Sequence, residues 1–258
     1  MNDTTTDVDP INVDSLWIIG PRAKGGMRNN TYHGNFVPQI PSDFIRRFTK
    51  EGDIVLDMFT GSGTALFECI PLHRRYIGFD INEAIFDDVR QSAQVFPEKS
   101  YRLNLCDICD KEKVQTFISS NLTEFTSTDV DLIFSHPPYL DIINFTNHDC
   151  DLSHIGDLSK FSAQYLKASG NVWRFLKKGG YFILVVGDVY KKGEVVPLGF
   201  TLMSAVRRTF KCQLKGIIVK DIVGNRAKIG QESLWRYRAM KWGTYLFKHE
   251  YIFVFKKQ

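Results

Sequence analysis

Seven short runs rich in Val, Ile, Leu and Phe, separated by segments of helical period, constrain this chain more than any other feature. They are Asp53–Phe59 (DIVLDMF), Arg75–Ile81 (RYIGFDI), Tyr101–Cys106, Asp131–Ser135 (DLIFS), Tyr181–Gly187 (YFILVVG), Gln213–Lys220 and Glu250–Lys256 (EYIFVFK). Several are continuously apolar, as strands covered on both faces are. Helical patterns fall between them, near Thr64–Ile70, Glu83–Ser92, Lys111–Ser120, Leu158–Leu176 and Pro197–Phe210. Alternating strands and helices predict an α/β protein on a mostly parallel sheet. The last two strands have no convincing helix between them, which predicts an antiparallel pair at a sheet edge.

A chain of 258 residues, 43% hydrophobic, can bury a large core without disulfides or metal. Residues 1–20 read as a disordered tail, and 21–258 as a single domain. The first 15 residues are polar and acidic, unlike a secretory signal. No apolar run approaches the roughly 18 residues of a membrane helix. Five cysteines are too few and too odd for a secreted disulfide scaffold, so the expected setting is the cytosol. Cys106 and Cys109 have zinc-like spacing, but no second compact pair accompanies them, and no metal is expected.

Charge is unevenly spread. Residues 211–258 hold eleven Lys/Arg against three acids, a net +8, whereas the preceding 210 residues carry a net −4. That asymmetry suits either a face that meets a polyanion or a solvated basic edge. Two stretches lie outside the strand–helix pattern. Residues 21–41 are rich in Gly, Asn and Pro. Residues 222–247 interleave Arg226, Lys228, Arg236, Arg238 and Lys241 with Trp235, Tyr237, Trp242 and Tyr245. A connection of about 25 residues is longer than joinery requires. Its composition suits phosphate contact with base stacking.

The first strand runs into Asp57-Met-Phe-Thr-Gly61-Ser-Gly63-Thr64. Glycines at a strand-to-helix turn let backbone approach a ligand at the carboxyl end of the sheet, where open α/β proteins bind. The third glycine of the dinucleotide fingerprint is absent, and no Gly-Lys-Ser/Thr follows. Asp57 inside the turn would oppose a pyrophosphate but favour a cation such as an α-ammonium. Asp80, 23 residues on, can accept from a ribose diol. Asp107, after the third strand, can accept from an adenine amino group. Three acidic strand ends in this order suit an adenosine with an amino-acid tail.

VLDMFTGSGTAL, the acid of IGFDIN and the later DLIFSHPPY resemble the S-adenosylmethionine-dependent DNA amino-methyltransferases, which make N6-methyladenine or N4-methylcytosine. The similarity runs from about Arg28 to HEYIFVFKK. It implies a Rossmann-like, seven-stranded class I methyltransferase fold, with a mostly parallel sheet and an antiparallel edge. It implies S-adenosylmethionine held by Asp57, Phe59, Thr60, Gly61, Gly63 and Thr64, with Asp80, Ile81 and Asp107 at its nucleoside. The segment His33–Pro41 resembles an element beside the cofactor and adds Phe36 and Pro38.

The fourth strand exits into Ser135-His136-Pro137-Pro138-Tyr139. Two prolines fix φ and remove two donors, leaving carbonyls that can point into a pocket. An exocyclic base amine is a poor nucleophile because its lone pair is delocalised into the ring. Acceptors that hold its hydrogens aim that lone pair at an electrophile, and Tyr139 can stack on the base. The family pattern is Asp, Asn or Ser before Pro-Pro, so His136 is a departure. Neutral imidazole accepts one hydrogen bond and imidazolium none, which predicts activity rising with pH through the His136 titration. Ser135, or the carbonyls of His136 and Pro137, are the alternative acceptors, and both target bases stay open. Asn144 can line the base pocket, and Arg226, Arg236, Arg238 and Lys241 can contact DNA. A homodimer or a restriction partner would enlarge that contact. RNA or protein-glutamine acceptors, or a silent cofactor-binding subunit, are the rival readings.

Overall fold

The computed structural model describes residues 10–20, 22–23, 35–222 and 232–258. Strands β1 (Leu16–Trp17), β2 (Ile54–Asp57), β3 (Arg75–Asp80), β4 (Tyr101–Leu105), β5 (Val130–Ser135), β6 (Leu176–Val186), β9 (Cys212–Asp221) and β10 (His249–Lys257) form one sheet. Its order is β1-β9-β10-β6-β5-β2-β3-β4. A separate hairpin joins β7 (Val189–Lys191) to β8 (Glu194–Val196). Seven of the sheet strands lie where the apolar runs fall.

The sheet corrects the expectation at its border. β10 alone runs antiparallel to its neighbours, and it lies between β6 and β9 rather than at an edge. The edge is β1, a two-residue strand parallel to β9, which makes eight strands rather than seven. Residues 10–20 are thus not a loose tail: Trp17 is only 2% exposed and stacks on Phe44 at 5.3 Å. Residues 1–9 lie outside the described residues.

Helices α1 (Gln39–Phe48), α2 (Thr64–Cys69), α3 (Glu83–Ala93), α4 (Lys111–Glu124), α5 (Leu158–Trp173), α6 (Leu198–Thr209) and α7 (Glu232–Trp242) complete the chain. The pleat sends alternate residues to opposite faces. On β2, Ile54 and Leu56 join the cluster that contains Ile118, Phe161 and Val206, under α4, α5 and α6. Val55 joins Phe44, Leu66 and Val89, under α1, α2 and α3. A central sheet between two helical layers results. Each fully buried large apolar side chain contributes roughly 1.5–3 kcal/mol, so both faces are closed strongly. Local caps mark the helix starts: Asp110 accepts from Lys113 N at 3.1 Å, and Asp157 from Lys160 N at 2.8 Å.

Two helices lie where no helix is expected. α1 begins within the segment set outside the core, and Ile40, Phe44 and Ile45 are buried. α7 occupies the long connection. β9 is parallel to β6, so β9 ends and β10 begins at the carboxyl end of the sheet. The connection with α7 therefore stands at that end. The basic C-terminal charge is split. Lys211, Lys256 and Lys257 join Lys178 around a groove at the opposite end, and Lys257 donates to Leu176 O at 2.6 Å.

Candidate active site

β2 and β5 are adjacent and parallel, with Asp57 opposite Phe134. Met58 N donates to Phe134 O at 3.0 Å, just beyond the last ladder pair. Adjacent strands are about 4.8 Å apart, so the glycine turn and the His-Pro-Pro-Tyr exit leave the sheet side by side.

The turn is shaped by left-handed backbone. Gly61 has φ 50° and Gly63 φ 75°, and Gly63 precedes α2. A Cβ on Gly63 would lie 2.9 Å from Phe67 Cε2, so a side chain there would strain both backbone and packing. Asp57 is 1% exposed. Its oxygens accept from Phe59 N and from the Tyr76 hydroxyl, both at 3.1 Å. Burial raises its carboxyl to about 7, with the Phe59 and Tyr76 bonds opposing and the nearby Asp80 adding to the rise. Thr60 Oγ1 meets Tyr76 Oη at 3.2 Å, and Thr64 opens α2. Asp80 accepts from Gly61 N at 2.6 Å and from Asn82 N at 2.8 Å, which ties β3 to the turn. Ile81 follows it, half-buried. Asp107 accepts from Cys109 N at 2.8 Å beyond β4. Carboxylate oxygens have two lone pairs each, so Asp80 and Asp107 keep acceptor capacity. Acids at three neighbouring strand ends, beside a turn with no room for a side chain at Gly63, fit a nucleoside with a cationic tail.

The segment 35–38 bridges the two corners. Ser62 Oγ donates to Asn35 Oδ1. The Phe36 ring packs 5.2 Å from His136 and 6.3 Å from Phe134. Pro38 is buried at the start of α1. His33 lies outside the described residues.

At the His-Pro-Pro-Tyr exit the side chains take different partners from those expected. Ser135 is wholly buried, and its hydroxyl pairs with Tyr165 Oη at 3.0 Å inside the core. Strand alternation turns it away from the cleft, which removes its side chain as an acceptor. His136 Nε2 lies 3.1 Å from the Tyr139 hydroxyl. That hydroxyl donates to Glu250 Oε2 at 3.0 Å, and Lys220 donates to Glu250 Oε1 at 2.8 Å. The Lys220–Glu250 pair is buried on β9 and β10. Both residues escaped the sequence reading, because each stands near a strand end beside other polar or charged residues, and only the fold shows that they are buried.

Burial lowers the His136 imidazole to about 4, with Lys220 adding to the fall and Glu250 opposing it. That depression moves the expected His136 titration, and the rise of activity tied to it, to well below neutral pH. Pro137 is buried and Pro138 half-buried behind it. The Tyr139 ring lies against the end of β6, where a Cβ on Gly187 would come within 3.0 Å of it.

The loop after Tyr139 folds toward the residues beyond β3. Asn82 Nδ2 donates to Phe145 O at 3.1 Å. Asp151 holds the loop by accepting from Thr146 N at 3.0 Å and Ser153 N at 2.8 Å. Asn144 is exposed on this loop. Asp188, after β6, accepts from Gly199 N at 2.9 Å and so serves the start of α6. On α7, Arg236 and Lys241 are exposed, and Arg238 lies 5.3 Å from the Trp235 ring. Tyr237 is 62% and Met240 77% exposed. Beyond α7, Tyr245 N donates to Tyr190 Oη at 2.9 Å, tying the segment to the β7–β8 hairpin. Arg226 and Lys228 lie outside the described residues.

Sheet order, glycine turn and proline exit together define a Rossmann-like class I methyltransferase fold. TrmN from Thermus thermophilus superposes with TM-score 0.55 at 18% identity, covering 88% of this chain and 50% of that one. The [4+2]-cyclase SpnF does so with TM-score 0.52 at 12% identity, covering 85% and 81%. At such identities the likeness concerns the fold, which evidently hosts a cyclase too.

Residues 3–91 match the family model described as DNA methylase, which bears out the resemblance to the DNA amino-methyltransferases over that stretch. Two type II methyltransferases of Methanocaldococcus jannaschii, M.MjaII and M.MjaI, are 43% and 41% identical over 51 residues. Those residues are 20% of this chain and only 10% and 17% of the two relatives.

Proposed function

We propose that this protein transfers a methyl group from S-adenosylmethionine to an exocyclic amino group of a base in DNA, N6 of adenine or N4 of cytosine. The observation that carries the reading is the β2–β5 register, Asp57 opposite Phe134, which sets the nucleoside corner beside the amine corner. When bound, S-adenosylmethionine supplies an electrophilic methyl group on a positively charged sulfur. Asp80 accepts from the ribose hydroxyls, Asp107 from the adenine amino group, and Asp57 favours the α-ammonium from beneath the turn. His136 and the carbonyl of Pro137 hold the two amine hydrogens, and Tyr139 supports the plane of an extruded base. A cytosolic setting belongs to the same reading.

Labelled S-adenosylmethionine offered with DNA, RNA and protein separates the rivals. Label in DNA supports the proposal. Label in RNA or protein replaces the substrate, and binding without transfer to any acceptor replaces the enzyme with a silent subunit.

α7 is the proposed DNA contact, since it combines cations with exposed aromatic rings at the cleft end of the sheet. A second copy or a restriction partner would lengthen its footprint. Replacing Arg236, Arg238 and Lys241 together with Gln should weaken DNA binding about tenfold or more and lower the log–log salt slope by roughly 2–3. Anisotropy titrations at two salt concentrations check this; an unchanged slope removes α7 from the interface.

The pH profile should divide the two corners. With His136 depressed to about 4, the saturated rate stays level from roughly pH 5.5 to 8.5 and falls only below that window. With Asp57 raised to about 7, its ionised fraction grows as pH rises through 7, so S-adenosylmethionine affinity should increase over the same range. Calorimetric titration at several pH values, beside single-turnover rates, measures both.

A further inference from the structure

We propose that Lys220 and Glu250 are positioning residues for this reaction: acting through Tyr139, they fix the tautomer of His136 so that Nδ1 is left as the acceptor for the substrate amine. The inference rests on the amino-methyltransferase reading above and explains how a histidine serves where the family carries Asp, Asn or Ser.

The chain of hydrogen bonds has only one direction. Glu250 is buried, yet Lys220 Nζ lies 2.8 Å from its Oε1. An ammonium at that distance keeps the carboxylate ionised, and an ionised carboxylate only accepts. The Tyr139 hydroxyl, 3.0 Å from Oε2, must therefore give its single proton to Glu250. Its oxygen can then only accept from His136, so the proton on the imidazole sits on Nε2, 3.1 Å away. A neutral imidazole has one N–H. Nδ1 is bare, and among the described residues no hydrogen bond engages it. An Asp or Asn offers an oxygen acceptor whatever surrounds it, whereas imidazole offers Nδ1 in only one of its two neutral forms. The strand register makes the device possible: Glu250 lies opposite Lys220 on β9 and β10. Gly187 leaves the space in which Tyr139 reaches them, because a Cβ there would come within 3.0 Å of the ring.

The test is the double variant Lys220→Met/Glu250→Gln. It replaces the buried pair by uncharged groups of similar size, a change that is commonly tolerated, and it leaves a side chain that can donate or accept at position 250. Nitrogen-15 NMR of the cofactor-free wild type should show His136 in one form, Nε2 protonated and Nδ1 bare. The double variant should show a mixture of tautomers, with kcat about tenfold lower and KM for DNA and cofactor within about threefold. Tyr139→Phe, which removes only the hydroxyl, should mix the tautomers too and serves if the double variant does not fold. A single Nε2–H form in both variants, or a kcat within about twofold of wild type in the double variant, overturns the proposal. If the wild type methylates nothing, the enzymatic reading fails, and the NMR experiment still decides the hydrogen-bond relay.

Discussion

Replacing His136 with phenylalanine is expected to slow methyl transfer by about 100-fold or more while S-adenosylmethionine binding stays within about threefold. Phenylalanine retains the planar ring that packs against Phe36 at 5.2 Å, so the corner keeps its shape. What disappears is the nitrogen acceptor and the bond to Tyr139. Loss of one preorganised hydrogen-bonding partner in an active site costs roughly 10²–10³ in rate. Ser135 cannot substitute, because its hydroxyl is committed to Tyr165 in the core. His136→Asn supplies the acceptor the family more often carries and should recover activity to within about tenfold of wild type. Single-turnover rates at saturating cofactor, with affinity measured separately, give the comparison. A Phe variant that retains its rate would show that the carbonyls alone hold the amine.

Glu250→Ala should cost about 3–5 kcal/mol of folding stability, because it strands the Lys220 ammonium in the interior without its partner. Lys220 is buried and Glu250 is its partner in an ion pair of 2.8 Å. At roughly 2–4 °C per kcal/mol for a protein of this size, the thermal midpoint should fall by about 10 °C. Lys220→Met/Glu250→Gln removes both charges and should remain close to wild type, since no charge is left to solvate. Arg102 and Glu124 supply the internal comparison: Glu124 is 58% exposed in that pair, and its truncation should cost less than about 1 kcal/mol. Denaturant titrations of the three variants measure the contrast. Equal losses for Glu250→Ala and Glu124→Ala would mean that water reaches the Lys220 ammonium.

Much of the architecture was legible because its causes are local. A strand covered on both faces needs an unbroken apolar run, and each of the seven runs became a strand of the sheet. The Gly-Ser-Gly turn was visible because glycine readily takes the left-handed backbone found at Gly61 and Gly63. The helices missed are of another kind. α1 owes its burial to contact with Trp17 of β1 and with Phe134, partners distant in sequence. α7 carries Arg, Lys and aromatic residues all round, with no apolar stripe to announce it.

Sequence by itself determined the alternation of strands and helices, the place of the glycine turn, the three acidic strand ends and the His-Pro-Pro-Tyr exit. Each follows from residues near one another in the chain. Only the tertiary structure decided that Ser135 faces the core, that β1 closes the edge outside β9, and that Lys220 and Glu250 reach Tyr139. Those outcomes depend on register and burial between segments distant in the chain, from Tyr139 and Glu250, 111 residues apart, to Ile19 and Asp221, 202 residues apart, where a single-residue shift of a strand exchanges its inward and outward faces.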